Sequence, residues 1–214
     1  MESLKKKKER AAEVIARLKE YYPDAQCSLV YEKPYELLIA TRLSAQCTDA
    51  RVNMVTPTLV STYPTLESLA NADPADIGEI IRSCGFFNTK SKDIVMMCKM
   101  ILEEFGGELP DSIEELTKLP GIGRKTANLM MGDVFHKPAV VVDTHCIRIN
   151  GRLGFCEGKD PEKIEKVLRN ILPPEESSDY CHRIVQYGRD VCSARSPKCG
   201  ECVLSDLCPS KTNA

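Results

Sequence analysis

The sequence of 214 residues predicts an all-α fold from its apolar periodicity, its helix caps and its scarcity of strand patterns. About ten stretches carry the periodicity or the start and stop residues of a helix. Two of them begin with an aspartate cap and a first-turn proline, at Asp73-Pro74 and Asp160-Pro161. A short run at residues 139–142 favours a strand, and no repeat or low-complexity linker interrupts the helical pattern.

The first three helices are predicted from the amino-terminal part of the chain. Residues 4–22 place apolar side chains on one stripe behind a solvated lysine run. Pro34 suits the first turn of a second helix, and the apolar run 37–40 predicts that this helix is deeply buried. The polar segment 44–49 ends the second helix, and Asp49 is placed to cap a third.

An aromatic pair, Phe86 and Phe87, stands between a helix that begins at Pro74 and ends at Gly85 and a long helix at 90–105. A hydrophobic pair after a C-terminal glycine commonly packs back on its own helix, so we expect both rings in the core. An exposed ring at this point would instead suit a wedge between DNA bases.

A glycine-rich turn, LPGIG at 119–123, joins two further predicted helices at about 112–118 and 124–135. Gly121 and Gly123 can adopt positive φ, which lets another backbone come close. The free N–H groups and the dipole at the start of the second helix form a seat for an anion such as a phosphate. A grip of this kind on DNA would be independent of base sequence.

Lys125 and Asp143 are candidates for chemistry near this turn. Lys125 lies one residue inside the positive helix end and beside Arg124. Both positive charges disfavour an ammonium group, so they favour the free amine that a nucleophile requires. Asp143 follows the apolar run 140–142, where its carboxylate can cap a helix, pair with a lysine or stabilise a cationic transition state. Singly, a solvated lysine and an ordinary cap explain these residues; together beside the glycine turn, they favour chemistry.

A short segment near the C-terminus, 192–208, contains four cysteines and little apolar content, so a metal centre would supply its missing folding energy. Four thiolates suit either tetrahedral zinc or an iron–sulfur cluster, and the spacing by itself does not decide between them. The four candidate ligands, separated by six, two and five residues, are Cys192, Cys199, Cys202 and Cys208. The remaining cysteines occur singly, and we interpret them as small core residues: Cys27, Cys47, Cys84, Cys98, Cys146, Cys156 and Cys181.

The composition limits the class of partner and compartment. A net charge of −2 means that binding to nucleic acid would depend on a local basic face, and residues 118–152 supply one with six Lys and Arg against two Asp. Eleven cysteines without a secretory signal favour a reduced compartment. No apolar run is long enough for a membrane span. We therefore expect a cytoplasmic protein, nucleoid-associated if prokaryotic, that does not bind membranes.

Four features together resemble the endonuclease III family, the iron–sulfur members of the helix-hairpin-helix DNA glycosylases. They are LSAQCTD at 43–49, LPGIGRKTAN at 119–128, VVVDTHCIR at 140–148 and the cysteine spacing of the C-terminal segment. The resemblance extends from about residue 22 to residue 208, nearly the whole chain.

The resemblance implies two helical domains with the DNA-binding groove between them. One would be a six-helix barrel at 27–138, which includes the helix-hairpin-helix at about 112–135. The other would combine an N-terminal helix at 1–26 with a C-terminal region at 139–214. The loop 192–208 of that second domain would hold a [4Fe-4S] cluster on its four cysteines.

The resemblance also implies the reaction. Lys125 would attack C1′ of a damaged nucleotide with the help of the Asp143 carboxylate, which gives N-glycosylase and AP lyase activities on one lysine. The substrate would be double-stranded DNA with oxidised or ring-saturated pyrimidines or abasic sites, bound by a monomer. Gln46 and Phe86 would fill the hole left by the extruded base, although close relatives often carry leucine at the position of Phe86. The hairpin would bind DNA through Gly121, Gly123 and Arg124.

Two alternatives remain open at this point. One is a non-catalytic helix-hairpin-helix module that binds DNA and carries a structural metal. The other is a glycosylase of different base specificity, such as the adenine-removing mismatch enzymes. Those enzymes lack the lysine nucleophile and need an acid in the early core helix, whereas residues 37–48 contain no acid.

Overall fold

The computed structural model describes residues 2–212, and the regular structure in that range is entirely helical, which confirms the all-α prediction. Two short 3₁₀ helices, Arg82–Cys84 and Pro174–Glu176, accompany the α-helices. The α-helices are α1 Leu4–Tyr21, α2 Pro34–Ser44, α3 Asp49–Thr62, α4 Leu66–Ala70, α5 Pro74–Ile80, α6 Phe87–Phe105, α7 Ile113–Leu116, α8 Arg124–Asp133, α9 Thr144–Arg152, α10 Pro161–Ile171 and α11 Ser177–Asp190.

Local side-chain caps start several of these helices. Asp73 accepts a hydrogen bond from Ala75 N at 2.8 Å, and Asp160 accepts one from Glu162 N at 3.0 Å, as the cap-and-proline pattern predicts. Helix α4 was not predicted from the sequence. Its cap is Thr65, whose hydroxyl accepts a hydrogen bond from the backbone N–H of the third helical residue at 3.1 Å, in a short capping box.

The strand expected at residues 139–142 is an irregular segment instead, so that prediction was wrong. Ala139, Val140 and Val142 are buried, which explains the apolar run. No strand lies among residues 2–212 to pair with this segment. The N–H of Val141 donates to the Cys181 thiol at 3.3 Å rather than to a ladder partner.

The chain divides into two compact units. The central unit consists of residues 27–135 and contains α2 to α8. The terminal unit combines residues 2–26 with residues 136–212 and contains α1 and α9 to α11. No helix in the described range is both long and apolar enough to cross a bilayer.

The central unit is built around α2. Its predicted apolar run, 37–40, is buried on every face of the helix, so α2 contacts α3, α6 and α8 at once. The long helix α6 covers α4 and α5 and buries Ile94, Met97 and Ile101 on one stripe. This scaffold carries the glycine-rich turn between α7 and α8.

The terminal unit is held together by α1 and α11. Ala11, Val14 and Leu18 form the buried stripe of α1 in the same core as Tyr180 of α11. The Tyr180 hydroxyl is fully buried and donates to Asn150 Oδ1 at 2.7 Å, which satisfies both groups. This core supports α9, the helix that begins immediately after Asp143.

Candidate functional site

Apolar side chains anchor the glycine-rich turn in the core of the central unit. Leu119 and Ile122 are buried, and the N–H of Ile122 donates to the carbonyl of Leu119 at 3.1 Å. In the helix before the turn, the Ser112 hydroxyl caps α7 by accepting a hydrogen bond from Glu115 N at 3.2 Å. The turn is therefore fixed to the central unit, while Gly121 and Gly123 themselves remain exposed.

Gly121 has positive φ (75°), which any side chain would disfavour. A Cβ at this position would overlap the Arg42 side chain and approach Asp93 Oδ2 to 2.8 Å. Arg42 and Asp93 form a partly buried ion pair under the turn, with Nη2 and Oδ2 2.7 Å apart. Glycine is thus required here by both the backbone conformation and close packing.

Gly123 differs from the expectation that both glycines can adopt positive φ. It has φ −100° and ψ 174°, an extended conformation open to any residue, and a Cβ there would meet no heavy atom within 4 Å. Gly123 is the N-cap of α8 and supplies no side chain to bond the first-turn N–H groups. The open space and the polar helix end together suit the approach of an anionic backbone.

Lys125 lies exposed in the first turn of α8, beside the equally exposed Arg124. Among residues 2–212, no ion pair or hydrogen bond holds the Lys125 amine. Its side chain is therefore available to an external partner at the helix end that Gly123 leaves open.

Gln46 and Phe86 lie on two other loops of the central unit and share a rare backbone conformation. Gln46 has φ 56° and Phe86 has φ 49°, both left-handed. For residues other than glycine this conformation costs about 1–3 kcal/mol and persists only where the surrounding structure imposes it. Strain of this kind is concentrated at functional sites.

The expectation that both aromatic rings are core residues was wrong for Phe86, which is 66% exposed. Gly85 has φ 69° and directs the chain outward, so Phe86 becomes the N-cap of α6 and its ring leaves the core. Phe87 is half-buried and packs against α5, where the position of a Cβ on Gly78 would lie 3.4 Å from its ring. The exposed ring matches the alternative of a wedge.

Asp143 belongs to the terminal unit, whereas Lys125, Gln46 and Phe86 belong to the central unit. It is the N-cap of α9, and its Oδ1 accepts a hydrogen bond from Cys146 N at 2.7 Å. The cap fixes the orientation of the carboxylate. Its other oxygen has no hydrogen bond within the described range and can act on a cation.

The four C-terminal cysteines surround a common cavity of about 230 Å³ in the terminal unit. Arg152 Nη1 donates to the Cys192 sulfur at 3.2 Å, and the Thr212 hydroxyl donates to the Cys199 sulfur at 3.4 Å. The hydrogen bond from Thr212 lowers the pKa of Cys199. Donors directed at sulfur favour thiolates, which are the form that ligates metals.

The donor set suits an iron–sulfur cluster, because all four thiols line one cavity of about 230 Å³. A single tetrahedral zinc would need sulfur atoms about 2.3 Å from one point. Thiols spread around a cavity instead suit an iron–sulfur cluster, which is several atoms wide.

The other seven cysteines were expected in the core, and five of them are buried there: Cys84, Cys98, Cys146, Cys156 and Cys181. The expectation was wrong for Cys27 and Cys47, which are only partly buried. Both lie in irregular segments outside the helices, where no apolar periodicity fixes burial.

Sequence analysis missed one functional candidate, Lys90, which is 1% exposed. Lys90 lies in register with the buried stripe of α6, at the same spacing as Ile94, Met97 and Ile101. A lysine on an apolar stripe is the pattern that would have revealed it, because a buried ammonium needs several acceptors.

Comparisons with known proteins agree with this geometry. The family described as "HhH-GPD superfamily base excision DNA repair protein" matches residues 39–174, and the "Iron-sulfur binding domain of endonuclease III" matches residues 192–208. Endonuclease III of Synechocystis sp. is 49% identical over 95% of this chain and 94% of its own length. The Bacillus subtilis enzyme is 44% identical over 90% of this chain and 88% of its own length.

Solved structures show the same likeness. A trapped endonuclease III–DNA covalent intermediate and a non-covalent endonuclease III–DNA complex are each 40% identical to this chain, with TM-scores of 0.90. Both cover 99% of this chain, which in turn covers 98% of the first and 97% of the second. The chain therefore belongs to the endonuclease III family of helix-hairpin-helix base-excision repair proteins, and its C-terminal cysteines form the iron–sulfur domain of that family.

Proposed function

We propose that this DNA glycosylase and AP lyase removes oxidised or ring-saturated pyrimidines from double-stranded DNA, with Lys125 as its nucleophile. The observation that carries the proposal is an exposed, unpaired lysine amine in the first turn of α8, next to a glycine turn with open backbone. Family membership also supports an enzyme over a non-catalytic module.

The glycine turn would hold the DNA by a phosphate. Gly123 leaves room for close approach, and the first-turn N–H groups of α8 donate toward the same space. Arg124, exposed beside them, adds positive charge. Because these contacts address only the backbone, they would position the reacting nucleotide without selecting its sequence.

The amine would then replace the damaged base. The Lys125 nitrogen forms a bond to C1′ while the bond from C1′ to the base breaks, and the base leaves with a proton. Positive charge develops on the sugar during this exchange, and the Asp143 carboxylate would stabilise it. Its fixed cap geometry and uncommitted oxygen support this role.

The same lysine would cleave the strand. Opening of the sugar ring at C1′ leaves a Schiff base to Lys125, which acidifies the C2′ proton. Removal of that proton drives the electron pair into the C2′–C3′ bond and expels the 3′ phosphate, which is β-elimination. Hydrolysis of the Schiff base frees the amine for another turnover.

A base must leave the stack before this attack, and damaged bases cost less to extrude. Gln46 and Phe86 would fill the hole that remains, because both are exposed on strained loop tips. Phe86 offers a flat aromatic surface that the leucine common in close relatives lacks. Stacking of an aromatic side chain on bases is worth about 1–3 kcal/mol.

Cys192, Cys199, Cys202 and Cys208 would hold the [4Fe-4S] cluster. When bound, the cluster would supply the folding energy that the C-terminal loop lacks. We further propose that the protein acts as a monomer in the cytoplasm, nucleoid-associated in a prokaryote.

The decisive experiment incubates the protein with duplex DNA that contains one thymine glycol and adds borohydride to reduce any Schiff base. Wild type is expected to form a covalent protein–DNA band, and Lys125→Gln to bind the duplex without forming one. Lys118→Gln, which removes the same charge from an exposed lysine before the turn, is the matched control and retains the band.

The other outcomes would correct the proposal in different ways. A band from Lys125→Gln would assign the nucleophile to another amine. Intact substrate strands with a folded, brown wild-type protein would overturn the assignment for this lesion. Uracil, other damaged bases and A·G mismatches would then distinguish a glycosylase of different base specificity.

A further inference from the structure

Lys90 is a buried cation that joins two loops of the central unit. Its Nζ donates three hydrogen bonds, each 2.8 Å long, to the backbone carbonyls of Leu43, Ala45 and Cys84. An ammonium has three donors, so the group is fully satisfied although its side chain is 1% exposed. Burial lowers the pKa of Lys90.

The accepting carbonyls lie at the C-terminal ends of helices, where backbone groups need hydrogen-bond partners. Leu43 and Ala45 are at the C-terminal end of α2, and Cys84 ends the 3₁₀ helix before α6. Carbonyls at such ends have no intrahelical donor, and their dipoles favour a cation. One side chain therefore satisfies the ends of two elements that are far apart in sequence, at Ser44 and at Cys84.

Each of these ends leads directly into a strained loop tip. Gln46 follows Ala45, and Phe86 lies two residues beyond Cys84; both tips are left-handed and exposed. The two tips are thus tied at their bases by the Lys90 ammonium.

We propose that Lys90 is a positioning residue that fixes the separation and backbone conformation of the Gln46 and Phe86 loops, so that both side chains enter the DNA together. The inference rests on the proposed role of those two side chains as fillers of the hole left by the extruded base. Lys90 itself is buried and touches neither DNA nor the reacting atoms.

Preorganisation explains why a buried charge would be kept at this point. Without the three hydrogen bonds, each tip could relax from its left-handed conformation, and the loops would have to be ordered again when DNA binds. The resulting loss of activity would appear on duplex substrates, from which a base must be extruded. It would be absent on substrates in which no stacked base has to be displaced.

The test compares Lys90→Met, which keeps the length and apolar stem of the side chain, with wild type. Lys99→Met, the same change at an exposed position of α6, is the matched control. Single-turnover rates are measured on duplex DNA with thymine glycol and on a single-stranded oligonucleotide with an abasic site. Fluorescence of 2-aminopurine opposite the lesion reports insertion directly.

For Lys90→Met we expect the duplex rate to fall by about tenfold or more, which corresponds to about 1.4 kcal/mol in the barrier. The fluorescence increase on binding is also expected to be lost. Cleavage of the single-stranded abasic site should change by less than about twofold, because it needs no insertion. Equal losses on both substrates would show a merely structural role and overturn the proposal, as would an unchanged duplex rate.

A double-variant cycle separates this inference from the proposed function. In a Gln46→Ala/Phe86→Ala background, Lys90→Met should have little further effect on the duplex rate, and the same loss in both backgrounds would overturn the proposal. If the double alanine variant itself excises normally, the filling role fails, and this inference fails with it. If Lys90→Met does not fold, Lys90→Gln, which keeps two donors, enters the same cycle, and a partial loss confined to the duplex is expected.

Discussion

The clearest prediction for stability and binding contrasts the two glycines of the hairpin turn. Gly121→Ala places a methyl group where Arg42 and Asp93 already lie and forces alanine to adopt φ 75°. Gly123→Ala places the same methyl group in open space at φ −100°. The two variants make the same chemical change two residues apart in the turn, so each serves as the control for the other.

The magnitude for Gly121→Ala follows from two terms. Left-handed backbone costs an alanine about 1–2 kcal/mol relative to glycine. Displacement of the Arg42–Asp93 pair, whose side chains are 14% and 20% exposed, weakens a charge-assisted hydrogen bond worth roughly 1.5–3 kcal/mol. Partial relaxation of Arg42 reduces the second term, so we expect a loss of about 2–4 kcal/mol in the free energy of unfolding.

The assay is thermal unfolding monitored by far-UV circular dichroism, with DNA binding measured by fluorescence anisotropy. In a chain of this size, about 1 kcal/mol shifts Tm by roughly 2–4 °C, so Gly121→Ala should unfold roughly 4–16 °C below wild type. Gly123→Ala should keep its Tm within about 2–4 °C of wild type, because its cap loses less than about 1 kcal/mol. Its affinity for duplex DNA should fall, since the methyl group occupies the space proposed for a phosphate.

The reverse pattern would refute this reasoning. Equal destabilisation by both variants would mean that the turn tolerates neither methyl group for a common reason. Unchanged DNA affinity in Gly123→Ala would show that the phosphate approaches elsewhere. A stable Gly121→Ala would show that the Arg42–Asp93 pair moves aside without cost.

Three further predictions concern the terminal unit. Hydrogen bonding to Lys19 lowers the pKa of Glu176, so its stabilising effect is complete above the ordinary carboxyl range and is lost as pH falls through the lowered pKa. Glu176→Gln should therefore lower Tm at pH 7, and the difference from wild type should shrink as the pH falls from about 4 through the lowered pKa. Tyr180→Phe leaves Asn150 Oδ1 without its donor and should cost about 1–3 kcal/mol in urea unfolding. Cys202→Ala should abolish the brown colour and expose the 192–208 loop to limited proteolysis, whereas Cys98→Ala, outside the cluster set, should leave the colour unchanged.

Local chemistry explains which features of this molecule could be predicted from sequence. The caps at Asp73 and Asp160 and the turn at Gly121 depend on residues within a few positions, so their patterns are present in the chain itself. The burial of α2 follows from an apolar run without a polar face. The four-cysteine segment could also be identified, because its cysteines lie close together in the sequence. Their spacing, however, was compatible with both zinc and an iron–sulfur cluster.

The features that escaped prediction depend on tertiary contacts. Phe86 was expected in the core, and its exposure results from the left-handed conformation that it adopts after Gly85. The partners of Lys90 are 6, 45 and 47 residues away, so no local pattern reveals them. The roles of Lys125 and Asp143 came from the resemblance to a family, because an exposed lysine and a helix cap are common in any protein.

The composition of the terminal unit has a consequence for synthesis. The buried stripe of α1 packs in a core whose other helices, α9 to α11, begin at residue 144. On a ribosome that adds about 5–20 residues per second, α1 must wait several seconds for those partners, while the central unit can fold in the meantime. The Arg17–Asp206 ion pair must wait longer still, because its two residues are 189 positions apart in sequence. Helix α1 is thus synthesised well before the helices that bury it, and its apolar stripe is a natural site for chaperone binding during that interval.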